Sequence, residues 1–262
     1  MSSDDLLPWF SPKLSPEVSR VITNLGRRAV LERGQALSAS SFFKRLVFVQ
    51  EGFLAQGVIN PGGGNPFMLT LSGPRSFGAA AGVVDAMDNL PRRYWAATHC
   101  EVLTIIPEIL LRLSEVDEKL NQELSSYAIR HLMSERMGLM LCQAASVEER
   151  AGVFIVSSLM VRGKFSAGKT IASSRWIRLD VLPSRKLTAA LLAVKEQQLK
   201  DVFRNWILEG TLRFNEGAFD VRSDMLSHYW RWMQPFVRMH ENMPIMVARD
   251  TRHLEHLELD LN

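Results

Sequence analysis

Apolar positions change their period along this chain. In the first hundred residues they come in short blocks: Val30–Leu31, Leu46–Val49, Phe53–Ile59, Phe67–Leu71 and Trp95–Ile106. The blocks are β-branched or aromatic, and Gly34, Gly52, Pro61-Gly62-Gly63-Gly64, Gly73-Pro74 and Gly78 separate them. That spacing predicts short strands of a barrel or sandwich. From Pro107 the period becomes helical. Glu108–Leu113 predicts one or two turns. Val116 to Ala145 predicts one long helix, with Leu120, Leu124, Tyr127, Ala128, His131 and Leu132 on one face. A helix of about 30 residues spans about 45 Å, too long to be buried within one small domain. Its apolar face is therefore expected to pair with a second copy, as in a dimeric coiled coil. The alternative is a single helix lying along the β-rich body. Glu148–Val161 reads as a further amphipathic helix.

The last third is the most specific part. Ser184 is an N-cap, followed by Arg185 and Lys186. Leu187, Leu191 and Val194 recur at helical spacing. After a break near Ala193–Lys195, so do Leu199, Val202, Phe203 and Trp206. Gly210 stops this second helix. Thr211–Phe214 and Ala218–Val221 flank Asn215-Glu216-Gly217, a glycine-containing hairpin connection. Two short helices, a turn and a β-wing make a winged helix-turn-helix, whose second helix enters the DNA major groove. Met225–Met239 then carries Tyr229, Trp230, Trp232 and Phe236 around Pro235, an amphipathic helix that the proline kinks or restarts. It is expected to pack on the wing; a contact with RNA polymerase or with a second subunit is the alternative. The acidic final residues are expected to fray.

Charge sharpens this reading. The 262 residues carry a net charge of only +3, unevenly placed. Residues 1–161 hold 15 Lys/Arg against 16 Asp/Glu, residues 162–213 hold 11 against 4, and residues 214–262 hold 5 against 8. A net of +7 thus sits on and before the two-helix unit. A localised basic block is what phosphate contacts require. The candidate DNA-binding residues are Ser184, Arg185, Lys186, Lys195, Gln197, Gln198, Lys200 and Arg204. Gln can read adenine and Lys guanine. Glu196 and Asp201 on the same helix oppose phosphate.

Other classes of chemistry are thinly represented. The two cysteines, Cys100 and Cys142, give neither a disulfide framework nor a metal cluster. No metal or cofactor is expected, and His99 and His131 read as structural. The N-terminus is acidic and lacks a signal peptide's basic region, and no apolar run reaches the roughly 18 residues of a membrane span, so a cytoplasmic protein is expected. One competing motif is complete. Gly163-Lys164-Phe165-Ser166-Ala167-Gly168-Lys169-Thr170 matches G-x-x-x-x-G-K-[ST], in which backbone amides cradle phosphates and the Lys reaches the outer ones. A nucleotide hydrolase needs an amphipathic helix next, then more strands. The next apolar block in this chain, Trp176–Leu179, is short and strand-like. A flexible basic loop is the preferred reading.

The order of elements resembles the Crp/Fnr superfamily of bacterial transcription regulators over roughly residues 14–222. The resemblance rests on Leu46–Gly52, a strand ending in Glu-Gly, on Ser76-Phe77-Gly78, on Ala97–Pro107, and on Ser184 through Leu212. It implies an α+β chain: an N-terminal β-roll like a cyclic-nucleotide-binding domain (1–115), a dimerisation helix (116–147), a winged helix-turn-helix (148–222) and a helical extension (223–262). It implies a homodimer on double-stranded DNA, with Leu120, Leu124, Tyr127, His131 and Leu132 in the seam. It places an effector near Gly78, Arg92 and Arg93. Yet Gly78 is followed by Ala79-Ala80-Ala81 where cyclic-nucleotide binders carry an acidic acceptor for the ribose. Arg92-Arg93 is followed by Tyr94 rather than Ser or Thr. A ribose hydroxyl left unpaired would cost about 1–3 kcal/mol. Cyclic nucleotide is therefore not expected to bind. The function expected is a non-enzymatic transcription regulator. The alternatives are a hydrolase using Gly163–Thr170, or a protein-interaction module that has lost its DNA-binding function.

Overall fold

The structure, a computed structural model, describes residues 6–37, 45–60, 62, 67–79, 92–166 and 175–241. Its first part is built from α1 (Pro16–Leu25), β1 (Arg27–Leu31), β2 (Leu46–Glu51), β3 (Leu54–Val58), β4 (Phe67–Ser72), β5 (Phe77–Ala79), β6 (Arg92–Ala96) and β7 (Cys100–Ile105). The strands form two antiparallel sheets, ordered β1-β7-β2-β5 and β4-β3-β6. Leu31, Val47, Val49 and Val102 of the first share a core with Leu54 and Ala96 of the second. The expected Trp95–Ile106 strand is in fact two strands in different sheets. At the break, Thr98 turns its hydroxyl to accept the Phe53 N–H at 2.8 Å. Gly52 turns β2 into β3 at φ +83°, where a Cβ would overlap the His99 carbonyl.

Helix α1 was not expected from the apolar pattern. Pro16 occupies its first turn, and Ser15 caps it by accepting the Val18 N–H at 3.2 Å. A strap of residues precedes it. Leu6, Leu7, Trp9 and Phe10 are buried, and the Ser11 and Leu71 amides bond the Leu71 and Trp9 carbonyls.

Then come α2 (Pro107–Val116), α3 (Glu118–Ala144) and α4 (Val147–Val161). The face of α3 assigned from sequence to a dimer seam is already covered by its own chain. Leu120, Leu124, Tyr127 and Ala128 are buried against Phe48, Phe77 and Leu103, and His131 is buried beside them. Tyr127 accepts the Phe77 N–H at 2.9 Å and meets that ring edge-on at 5.3 Å. The helix therefore lies along its own β-body, and length alone did not imply a partner. Leu132 is half-buried, while Leu139 is 55% exposed.

The remaining elements are β8 (Trp176–Leu179), α5 (Arg185–Leu191), α6 (Glu196–Leu208), β9 (Leu212–Asn215), β10 (Ala218–Arg222) and α7 (Ser223–Glu241). They gather around α4, whose residues from Ala151 to Val161 are all buried. Phe154, Leu199, Trp206, Leu226, Tyr229 and Met233 share this core with Phe10 and Leu71. Pro235 lies within α7 without ending it. Gly152 lets α7 approach α4, since a Cβ there would overlap the Tyr229 ring.

Candidate nucleic-acid interface

Helices α5 and α6 are joined by a tight turn. Ser184 caps α5 by accepting the Leu187 N–H at 3.2 Å. Ala193 adopts φ +52° in the turn, and the Ala193 and Val194 amides bond the Ala190 and Ala189 carbonyls. Leu199 and Trp206 hold α6 to the core. Gly210 (φ +68°) ends it, with the Gly210 and Thr211 amides bonded to the Ile207 and Trp206 carbonyls. β9 and β10 are connected by Glu216 (φ +49°) and Gly217 (φ +78°), both left-handed as a tight hairpin requires. β8 pairs with β10 to complete a three-stranded sheet ordered β8-β10-β9.

Burial of Leu199 and Trp206 turns the opposite side of α6 to solvent. Lys195, Glu196, Gln197, Gln198, Lys200 and Arg204 are all exposed. Arg185 and Lys186 open α5, also exposed, and Arg185 lies 3.8 Å from Glu196. Asp201 engages two of the candidates: Gln197 Nε2 donates to it at 3.1 Å, and Arg204 lies 3.2 Å away. Gln198 Oε1 accepts the Lys195 N–H at 2.9 Å and so serves as a cap. Exposed ion pairs of this kind hold by about 0–1 kcal/mol and yield readily to a phosphate. Of the candidates named from the sequence, all but the half-buried cap Ser184 are exposed, and the local roles of Gln198 and Asp201 were not visible there.

The hydrolase motif is broken up. It begins at the end of helix α4, not after a strand. Gly163 (φ +69°) donates its amide to the Met160 carbonyl, and Lys164 donates its amide to Leu159. The first two amides of the motif thus satisfy helix carbonyls. The Phe165 side chain is buried, and Lys164 Nζ sits 2.7 Å from Asp180. Lys164 and Arg162 hold the Asp180 carboxyl below its usual range against a desolvating push upward. Ala167–Thr170 lie outside the described residues.

The candidate effector residues point three ways. Gly78 is packed against Leu54 and Val49, with no room for a Cβ. Arg93 is exposed. Arg92, two residues before Tyr94 on β6, turns inward to α3, where its guanidinium meets Glu135 at 3.0 Å; the two side chains are 3% and 11% exposed. His131 Nε2 lies 3.3 Å from the same carboxylate oxygen, and Gln56 Nε2 3.5 Å. Burial pushes the Glu135 carboxyl up, but His131 and Arg92 outweigh it and hold it below the ordinary carboxylate value. The Thr70 and Ser134 hydroxyls and His131 Nδ1 are buried with no hydrogen-bond partner among the described residues. Ala80 and Ala81 lie outside those residues. His99 is exposed beside Glu32 at 3.4 Å. Among the described residues no group of His, Cys, Asp and Glu is arranged to hold a metal, and no helix is long and apolar enough to cross a membrane.

The combined architecture is a mixed helix-and-sheet protein, two antiparallel sheets followed by a long helix and a smaller helical unit with its own sheet. Neither a family model nor a curated protein matches this sequence. Solved structures do match. FixK2 from Bradyrhizobium japonicum is similar with a TM-score of 0.60 at 14% identity, covering 78% of this chain and 96% of its own. A CooA variant from Carboxydothermus hydrogenoformans gives 0.58 at 12%, covering 87% and 99%. A protein described as a Crp/Fnr-family transcriptional regulator from Eubacterium rectale gives 0.55 at 12%, covering 83% and 95%. The chain has a Crp/Fnr-like fold.

Proposed function

We propose that this chain is a DNA-binding transcription regulator acting in the cytoplasm as a homodimer. The α5–turn–α6 unit with its β8-β10-β9 sheet is read as a winged helix-turn-helix within residues 148–222. Residues 1–115 form an effector-like domain, 116–147 the dimerisation helix and 223–262 an extension. The observation that carries the reading is the exposed set of Lys195, at the N-cap of α6, with Gln197, Lys200 and Arg204 on the helix itself, whose other side is fixed by Leu199 and Trp206. The similarity to Crp/Fnr-like structures supports it. RNA polymerase is the further partner such a regulator would meet.

Dimerisation is assigned to a face that shares only Leu132 with the one the apolar pattern singles out. Ser125, Ile129, Leu132, Arg136, Leu139 and Gln143 alternate by four and three along α3, and none is buried. That alternation is the seam spacing of a two-helix coiled coil. Cyclic nucleotide is excluded from the proposal, because Glu135 already engages Arg92 and Ala79 supplies no acceptor.

The deciding experiment is selection of duplexes from a random-sequence pool, followed by titration at several salt concentrations. A recovered consensus, with affinity that falls as salt rises, is expected. No enrichment at low salt would remove the reading.

A further inference from the structure

We infer that Arg150 is a positioning residue that clamps the α5–α6 turn to the end of the long helix and so fixes how the reading helix is presented. The inference rests on the DNA-binding reading above. Arg150 lies in the first turns of α4 and is only half-buried. Its Nη1 donates to the Cys142 carbonyl in the last turn of α3 at 3.2 Å, and to Leu192 and Ala193 in the turn at 2.8 and 3.4 Å. Its Nε faces the Ser146 carbonyl at 3.4 Å, in the link from α3 to α4.

The acceptors explain why an arginine stands there. The last carbonyls of a helix have no partner within it and carry the negative end of its dipole. Here the carboxyl ends of α3 and α5 both converge on one spot, and one guanidinium serves both. Ala193 adds a second reason. Its left-handed backbone is disfavoured for any residue but glycine and persists only where neighbours hold it. The Ala193 and Leu192 carbonyls are the groups Arg150 grips. Cys142 Sγ also reaches the Leu191 carbonyl at 3.8 Å, so α3 and the turn meet through this small polar cluster. Lysine keeps the charge but lacks the planar fork that reaches several carbonyls at once. Methionine keeps the apolar stem and removes every donor.

The test compares the full chain with its Arg150→Met and Arg150→Lys variants. Hydrogen exchange at residues 192–195 should accelerate about tenfold in both, with exchange in the β-body unchanged. On a duplex recovered by selection with the parent, affinity should fall about 10- to 100-fold, and binding to random duplex much less. The slope of log affinity against log salt should stay the same, since no phosphate contact is lost. Unchanged exchange at 192–195 overturns the clamp. A slope reduced by about one, with exchange unchanged, would make Arg150 a phosphate contact instead and also overturns it. If the parent enriches no duplex, the DNA-binding reading fails alone, and exchange still decides the clamp.

Discussion

Arg92 and Arg204 carry the same charge in opposite circumstances. Arg92 is drawn into the contact between β6 and α3, where Glu135 neutralises it away from water. Arg204 stands in solvent on α6, with Asp201 beside it on the next turn. A buried pair has already surrendered its hydration, so losing one partner strands the other charge. An exposed pair keeps most of its hydration, and either member can be traded for a new partner at little cost. The contrast separates a region whose charges hold the fold from one whose charges are available to a ligand.

The largest expected effect comes from removing the buried carboxylate that Arg92 and His131 share. Glu135→Ala should destabilise the protein by about 3–5 kcal/mol in urea unfolding, and adding Arg92→Met should recover much of it. Equal stability of the single and double variants would show that the pair is not the buried unit described. Next, reversing Lys195, Lys200 and Arg204 together to Glu should cut duplex affinity at least 100-fold while leaving the unfolding free energy in urea within about 0.5 kcal/mol of the parent. Retained binding would move the reading surface off α6.

The two faces of α3 can be set against each other in the same way. Leu132→Glu with Leu139→Glu places like charges on the outer stripe and should convert dimers to folded monomers by light scattering at micromolar concentration. Leu124→Glu, inside the chain's own core, should instead unfold the β-body. A parent that is already monomeric would end the dimer proposal. Smaller still is the effect of acid. A carboxyl held below its unfolded value adds stability that is complete above about pH 4.3 and fades as pH falls through the lowered value. Glu135 should therefore steepen the acid-side loss of stability, and the Glu135→Gln, Arg92→Met double variant should flatten that limb. An unaltered acid limb would mean that Glu135 is not held low.

Much of the α5–α6 unit and its hairpin was legible because its signals are local. Ser184 before a helical period, Gly210 after one and Glu216-Gly217 between two short strands each act within four residues, and each does so in the structure. What covers a surface is not local. Leu120 and Leu124 stand out at helical spacing whether Phe48 and Phe77 lie over them or a second chain does. Glu135 was invisible for the same reason, since its partner Arg92 comes from a strand 43 positions away. Helix α1 had a readable start in Ser15-Pro16-Glu17, a cap followed by proline in the first turn, but its apolar residues are few. The Trp95–Ile106 block concealed a break because Thr98 is a good strand residue that here spends its hydroxyl on Phe53.

The strap ahead of α1 imposes an order on events during synthesis. Phe10 lies between Phe53 of the β-body, at 5.8 Å, and Phe154 of α4, at 5.7 Å, and Lys13 donates to the Met160 carbonyl 147 positions later. The strap therefore seats against a helix synthesised much later. At roughly 5–20 residues per second the strap waits about 7–30 seconds for α4. Through that interval Leu6, Leu7, Trp9 and Phe10 have no completed site. Until then the nascent chain carries an uncovered apolar strap that chaperones can grip, and the joint between strap, β-body and α4 closes only once α4 has emerged.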